Sequence, residues 1–203
     1  MQTIIYILPE LFLSLSLMCL LMIGVFVKKS FNLIYLLTII TLLATIILTY
    51  SQSGETIKIF YDSYIIDKFS IFMKCLTLLF SLFVLILSKD YIKSNNLDKV
   101  EYLIIIIASI LGMMIMISSY DLIIFYLGLE LQSLSLYILA SFKRENEKST
   151  EAGLKYFVLS ALSSGLLLYG CSLIDKTSIK VLSAVIYGLC SFKTLASSLI
   201  GTA

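Results

Sequence analysis

Long apolar runs constrain this chain more than any other feature of its sequence. Residues 4–27 form one such run, and several others reach 18 residues or more. An α-helix rises about 1.5 Å per residue, so a run of this length crosses the roughly 30 Å hydrocarbon core of a bilayer. With 60% hydrophobic and 14% charged residues, the composition is also far from that of a soluble domain. The chain is therefore predicted to be a polytopic membrane protein.

Seven membrane-spanning helices are predicted. The predicted fold class is therefore all-α, and the helices form one bundle, a single membrane domain over residues 1–203. The predicted spans are residues 4–27, 31–50, 69–88, 102–119, 122–142, 152–174 and 180–200. The connection at 51–68 contains KIFYDSYII, whose alternating character predicts a short hairpin or surface strand outside the membrane.

Basic residues are distributed unequally between the two sides of this bundle. One side carries Lys28, Lys29, Lys89, Lys93, Lys99, Lys143, Arg144 and Lys148. The other side carries Lys58, Lys68 and Lys176, with Lys180 at its edge. Because loops rich in Lys and Arg stay in the cytoplasm or matrix, the N-terminus is predicted on the opposite side of the membrane.

One carboxylate, Glu130, is predicted near the middle of the fifth span. A charge at that depth costs about 2.5–3.5 kcal/mol on insertion scales, so such residues usually face a bundle interior or a wet cavity. Helical spacing places hydroxyl side chains on the same face, namely those of Tyr126, Ser133, Tyr137 and Ser141. Two interpretations remain open: a protonated acid that joins two helices by hydrogen bonds, or a proton-relay site.

Four lysines lie in or next to predicted spans. Lys155 opens the sixth span, where it either pairs with Glu151 one turn earlier or takes part in function. Lys193 lies about fourteen residues into the last span, where it is expected to be paired, deprotonated or hydrated. For Lys68 and Lys74, near the outer edge of the third span, snorkelling to the interface is a sufficient explanation.

Histidine is absent and cysteine is sparse. The lack of histidine excludes imidazole-ligated haem and His-containing metal centres within this chain. Cysteines occur at 19, 75, 171 and 190 without any C-x-x-C pair, which predicts small buried apolar residues rather than ligands. Redox chemistry is therefore expected elsewhere.

Two motifs stand in consecutive spans. G-x-E-L-x-x-L-x-x-Y covers residues 128–137, and E-A-x-x-K-Y-F-x-x-S-A-x-x-S covers residues 151–164. Together with the early LPELFL at 8–13, they resemble the antiporter-like membrane subunits of respiratory NADH:ubiquinone oxidoreductase (complex I), of the chain 2 type. The resemblance implies three leading helices over residues 1–100 and a partial first antiporter-like repeat over 101–203.

The resemblance also implies roles for individual residues. In this family an acid of the fifth helix and a lysine of the broken seventh helix form a charge pair on the proton path, and a sixth-helix lysine belongs to the same axis. By position these are Glu130, Lys193 and Lys155, respectively. Lys193 follows GLCSF, whereas the proline-aromatic-His stretch that normally comes next is missing.

The function implied is proton translocation coupled to electron transfer from NADH to ubiquinone, as a complex I membrane-arm subunit. FMN, iron-sulphur clusters and ubiquinone are expected in partner subunits, and other membrane-arm subunits and lipids are the expected partners. Since family members carry two repeats, a separate polypeptide that completes the fold is a further expected partner. Alternatives are an Mrp-type cation/proton antiporter subunit and a structural subunit with a decayed channel. The Ile, Leu, Lys, Phe, Tyr and Ser bias is typical of organellar or AT-rich bacterial coding. The expected location is the mitochondrial inner membrane, with a bacterial plasma membrane as the alternative.

Overall fold

The computed structural model of the chain describes residues 2–26, 31–52, 57–59, 63–94, 100–143 and 146–174. These residues form six α-helices and one two-stranded sheet. In chain order the elements are α1 (Gln2–Phe26), α2 (Phe31–Tyr50), β1 (Ile57–Ile59), β2 (Tyr64–Ile66), α3 (Lys68–Ser94), α4 (Val100–Ser118), α5 (Leu122–Ala140) and α6 (Glu147–Ile174). Each of the six helices is long and apolar enough to cross a membrane. The prediction of an all-α polytopic bundle is confirmed, and the predicted span at 180–200 lies outside the described residues.

The chain divides into two compact units, residues 1–156 and 157–203. The first unit contains α1 to α5, the sheet and the beginning of α6. The described part of the second unit is the remainder of α6, whose outward leucines are Leu159, Leu162 and Leu166. In this part the hydroxyl of Ser164 donates a hydrogen bond to the carbonyl oxygen of Ala161, 3.2 Å away, so it needs no partner outside its own helix.

The core of the first unit lies between α1, α2, α3 and α4. Apart from the adjacent Ile34 and Tyr35, its buried side chains recur every three, four or seven residues, which places them on one face of each helix. They are Leu13, Leu20, Ile34, Tyr35, Leu42, Leu78, Leu85, Leu103, Ile107, Ile110 and Met114. Since lipid is as apolar as leucine, this face is held by close packing and hydrogen bonds rather than by exclusion of water.

Three buried threonines of α2 show how polar groups are accommodated in this core. Thr38, Thr45 and Thr49 each donate their hydroxyl hydrogen to the carbonyl oxygen three residues earlier, at 2.7–2.8 Å. The Tyr35 hydroxyl reaches across to α3 and donates to the carbonyl oxygen of Leu85 at 3.1 Å. The hydroxyl groups are thereby satisfied without water, as hydrocarbon surroundings require.

Helices α4 and α5 make the most extensive contact, at a crossing of two glycines. A Cβ atom placed on Gly112 would lie 2.7 Å from the backbone nitrogen of Gln132 and 2.9 Å from the carbonyl oxygen of Gly128. A Cβ atom on Gly128 would in turn lie 2.9 Å from the backbone nitrogen of Met116. Small residues allow this approach of two backbones, which is a recurrent way of joining helices in membranes.

A tight connection fixes the direction of α5 after α4. Asp121 is the N-cap residue, and its side-chain oxygen accepts a hydrogen bond from the backbone nitrogen of Ile123 at 3.3 Å. The backbone nitrogens of Tyr120 and Asp121 also donate to the carbonyl oxygen of Ser63, at 3.0 and 3.3 Å. The connection is therefore attached to the segment between α2 and α3.

That segment is an antiparallel hairpin, as the sequence predicts. Strand β1 pairs with β2 in the register Ile57 to Ile66, Lys58 to Ile65 and Ile59 to Tyr64. The hairpin does not simply lie on the surface, because Ile59, Tyr64 and Ile66 are buried against Tyr6, Ile7 and Ile71 of α1 and α3. It thus covers one end of the bundle and brings β2 into contact with the helices.

Candidate functional site

Glu130 lies in the middle of α5, as predicted. It is the ninth of nineteen residues in the helix, which places it about 12 Å from the N-terminal end and about 15 Å from the C-terminal end by helical rise. Gly128 and Gln132, which contact α4, are each two residues away, so Glu130 lies about 200° around the helix from them. The carboxylate is half-buried, and its Oε1 atom is buried with no hydrogen-bond partner among the described residues.

The predicted hydroxyl-bearing face of α5 is present, but its serine hydroxyls donate to backbone carbonyl oxygens rather than to the Glu130 carboxylate. The Ser133 hydroxyl donates to the backbone carbonyl oxygen of Glu130 at 3.0 Å, and that of Ser141 donates to the carbonyl oxygen of Tyr137 at 3.1 Å. Tyr126 and Tyr137 are buried on the same face. The serine hydroxyls of this face are therefore bonded within their own helix.

Lys155 and Glu130 are not joined in the structure. The Lys155 ammonium pairs with Glu151 one turn earlier in α6, at 2.5 Å, and 68% of its side chain is exposed. The described residues give no ion pair between Lys155 and Glu130. Lys193 lies outside the described residues. Within those residues, no group of three or more His, Cys, Asp or Glu side chains is placed to hold a metal ion.

The structure brings together a second polar cluster, which no local sequence pattern predicts. Glu10 of α1, Lys74 of α3 and Tyr64 of β2 form a closed triangle of hydrogen bonds. Lys74 Nζ donates to Glu10 Oε1 at 2.5 Å and to the Tyr64 hydroxyl at 3.2 Å, and the Tyr64 hydroxyl donates to the same Glu10 oxygen at 2.8 Å. Both charged residues lie within candidate membrane spans, Tyr6–Phe26 and Lys68–Lys89.

The prediction that Lys74 snorkels to the interface is therefore wrong. Its side chain is 0% exposed, and it shares the core-facing side of α3 with Leu78 and Leu85, four and eleven residues further on. On that face the ammonium cannot reach water along its own helix, and the Glu10 carboxylate supplies its partner. Lys68, one and a half turns earlier, is exposed as predicted.

Tyr64 is the member of this cluster that belongs to the hairpin rather than to a span. Burial raises the pKa of its phenol well above the usual value, and the negative charge of Glu10 raises it further. The Ser118 hydroxyl at the end of α4 acts in the opposite direction on this pKa. The phenol consequently stays protonated and acts as a hydrogen-bond donor to Glu10.

Two signals in the sequence point to this cluster. Glu10 is an acid inside an apolar helix, as Glu130 is, and Lys74 lies seven residues into α3, deeper than a residue at a helix end. Their partnership links positions 64 residues apart, and no local pattern reveals it.

The chain is similar to one described family of membrane proteins and to individual bacterial proteins. Residues 119–196 match the family described as NADH:quinone oxidoreductase/Mrp antiporter, transmembrane. NADH-quinone oxidoreductase subunit N of Pelagibacter ubique is 55% identical over 175 residues, which are 86% of this chain and 37% of that protein. The chain is thus similar to members of this family over most of its length. The subunit N of Bartonella bacilliformis is 50% identical, over 84% of this chain and 35% of that protein.

Solved structures share the fold of this chain. A chain of respiratory complex I from Thermus thermophilus superposes with a TM-score of 0.69 and 25% identity, over 82% of this chain and 36% of that one. A chain of the archaeal membrane-bound sulfane sulfur reductase shares the fold, with a TM-score of 0.68 and 21% identity over 85% of this chain. The present chain thus spans a little over a third of the length of the antiporter-family relatives it matches.

Proposed function

We propose that this chain is part of a membrane subunit of a proton-pumping NADH:quinone oxidoreductase. In that role it contributes to proton translocation coupled to electron transfer from NADH to ubiquinone. The observation that carries this proposal is the identity of 55% to a protein named NADH-quinone oxidoreductase subunit N. FMN, iron-sulphur clusters and ubiquinone would be held by partner subunits, which would include the other membrane-arm subunits of the complex.

Within the chain, Glu130 is the proposed proton-transfer residue. It stands at mid-helix, and one of its oxygen atoms is buried without a hydrogen-bond partner in the described residues. A carboxyl group in such surroundings can take up a proton and release it again when a neighbouring positive charge changes position. Lys155 and Lys193 are proposed as the cationic residues of the same path, and for Lys155 this requires the exchange of Glu151 for another partner.

The proposed location is a bacterial plasma membrane, because the curated relatives described above are from bacteria. This favours the second of the two locations considered from the sequence. The mitochondrial inner membrane, the first location expected from the sequence, has no support from these relatives.

The decisive experiment replaces Glu130 by Gln in the assembled complex and measures protons pumped per electron. The amide keeps the size and hydrogen-bonding capacity of the side chain but cannot carry a proton. NADH-to-quinone electron transfer is expected to persist while the proton yield falls. Glu101→Gln is the matched control, since Glu101 is an exposed acid in the first turn of α4. An unchanged proton yield in Glu130→Gln would contradict the role of Glu130 and would favour a structural subunit.

An Mrp-type antiporter subunit is the second candidate, since the matched family includes Mrp antiporters. It predicts cation/proton exchange in membrane vesicles without NADH or quinone. Co-purification with an NADH-oxidising complex would decide against it.

A further inference from the structure

We propose that Glu10, Tyr64 and Lys74 form a proton-exchange site at the end of the bundle that the hairpin covers, separate from Glu130, with the Oε2 atom of Glu10 as the place where the proton binds. This inference does not rest on the proposed function, because it concerns only groups of this chain. It begins from an asymmetry in how the Glu10 carboxylate is hydrogen-bonded.

Both hydrogen bonds to Glu10 go to one oxygen atom. Oε1 accepts from Lys74 Nζ and from the Tyr64 hydroxyl, whereas Oε2 is buried without a hydrogen-bond partner among the described residues. An ionised carboxylate offers about four acceptor positions. Leaving the buried Oε2 oxygen unpaired is costly in surroundings of low polarity.

A proton on Oε2 satisfies this atom and keeps both existing hydrogen bonds. The positive charge of the buried Lys74 ammonium is then compensated only by the oxygen dipoles of Glu10 and Tyr64, which favours release of the proton again. An O–H bond forms at Oε2, the carboxylate becomes a neutral carboxylic acid, and Oε1 becomes its carbonyl oxygen. That carbonyl oxygen continues to accept from Lys74 and Tyr64. The charge of the cluster rises by one when the proton comes from water at the hairpin face, and it falls again when the proton leaves.

Within this cluster, the group proposed to bind and release the proton is the Glu10 carboxyl. Tyr64 remains a neutral donor because burial and the Glu10 charge raise the pKa of its phenol. Lys74 is the charged residue of α3 that faces Glu10. The residue of α4 that lies next to Tyr64 is Ser118, whose hydroxyl is uncharged. Glu10 from α1 is thus the acidic group of this cluster whose charge state can change.

The position of the cluster gives this exchange a direction. Glu10 lies one turn inside the candidate span that begins at Tyr6, so only that turn and the hairpin separate it from the aqueous phase. Tyr64 joins this site to the hairpin, and the neighbouring Ser63 carbonyl oxygen accepts from Tyr120 and Asp121, where α5 begins. The face on which protons are exchanged is therefore the N-terminal face of α1, α3 and α5.

A purely structural ion pair is the competing explanation, and infrared spectroscopy separates the two. Difference spectra of the native membrane assembly between two pH values report protonated carboxyl groups through a carbonyl stretching band that shifts in D₂O. We expect one such band to be lost in the double variant Glu10→Gln/Lys74→Met, which leaves no lone buried charge. The control Glu101→Gln should retain it. A double variant with an unchanged spectrum overturns the proposal and leaves the pair as a structural element only.

Tyr64→Phe provides a second test that keeps both charged residues. Removal of the hydroxyl takes one hydrogen bond from Oε1, so the carbonyl band of the protonated acid should shift to higher frequency. A band at the same frequency as in the unchanged protein would overturn the assignment to Glu10, and this test applies even if the double variant does not assemble. Neither measurement requires NADH or quinone, so failure of the proposed function and failure of this inference are distinguishable.

Discussion

Replacement of Gly128 by Ala tests the contact that positions α5, and with it Glu130. The added Cβ atom would lie 2.9 Å from the backbone nitrogen of Met116 and 3.0 Å from the carbonyl oxygen of Gly112, while ordinary contacts begin near 3.4 Å. Because both atoms belong to the backbone, no side-chain rotation relieves the clash. The axes of α4 and α5 must separate by about 0.5 Å or more at this point, and overpacking of this kind costs about 1–3 kcal/mol.

The same substitution also has a favourable component, which a matched control removes. Ala is better than Gly in a helix interior by about 0.8–1.0 kcal/mol. Gly165 of α6 has no atom of the described structure within 4 Å of the position that its Cβ would take, so Gly165→Ala measures this component alone. Relative to Gly165→Ala, the free energy of unfolding of Gly128→Ala is expected to be lower by about 1–3 kcal/mol.

The assay is equilibrium unfolding of the full chain by SDS in mixed micelles, followed by loss of helical circular dichroism. Gly112→Ala should behave as Gly128→Ala does, since its Cβ would lie 2.7 Å from the Gln132 backbone nitrogen. Equal unfolding free energies for Gly128→Ala and Gly165→Ala would refute the close crossing of α4 and α5.

Two further predictions concern the Glu10 cluster. Lys74→Met alone should lower the free energy of unfolding by about 3–5 kcal/mol, because it leaves an uncompensated buried carboxylate, and adding Glu10→Gln should restore most of the loss. SDS unfolding of the single and double variants measures this. Additive effects of the two substitutions in the double variant would contradict the prediction. Tyr64 binds its proton more tightly in the folded chain than at its ordinary pKa of 10.0, so its contribution to stability is complete below pH 10.0 and declines as the pH rises further. Unfolding curves measured across that range should show a smaller decline for Tyr64→Phe, and an identical decline would count against the raised phenol pKa.

The membrane-spanning helices could be predicted from the sequence because their signal is local. Each run of about twenty apolar residues satisfies the length of the bilayer by itself, and α2 begins and ends at the predicted residues 31 and 50. The depth of Glu130 follows from the same reasoning, since a position within a span depends only on helical rise. The hairpin could also be predicted from the sequence, because alternating residues next to polar turns are typical of short strands.

The orientation of side chains around these helices could not be predicted in the same way. Helix α3 is apolar on all sides, so no polar face shows which residues point to the core and which to lipid. Lys74 could therefore be placed in depth but not in direction, and its partner lies 64 residues away in the sequence. The same limit applies to Cys19, which was expected to be buried and is exposed on α1.

The hairpin is the only described segment between helices that is bonded both to a buried charge pair and to the start of another helix. A neighbouring polypeptide that docks on its outer side, for instance at Lys58, which lies over the Tyr120 ring at 5.0 Å, would contact strands that are hydrogen-bonded to Glu10 and to the start of α5. We expect such a neighbour to change the hydrogen bonding of Glu10 through Tyr64. The hairpin thus connects the surface that an adjacent subunit could contact with an acid inside a membrane span, through the hydrogen bond between Tyr64 and Glu10.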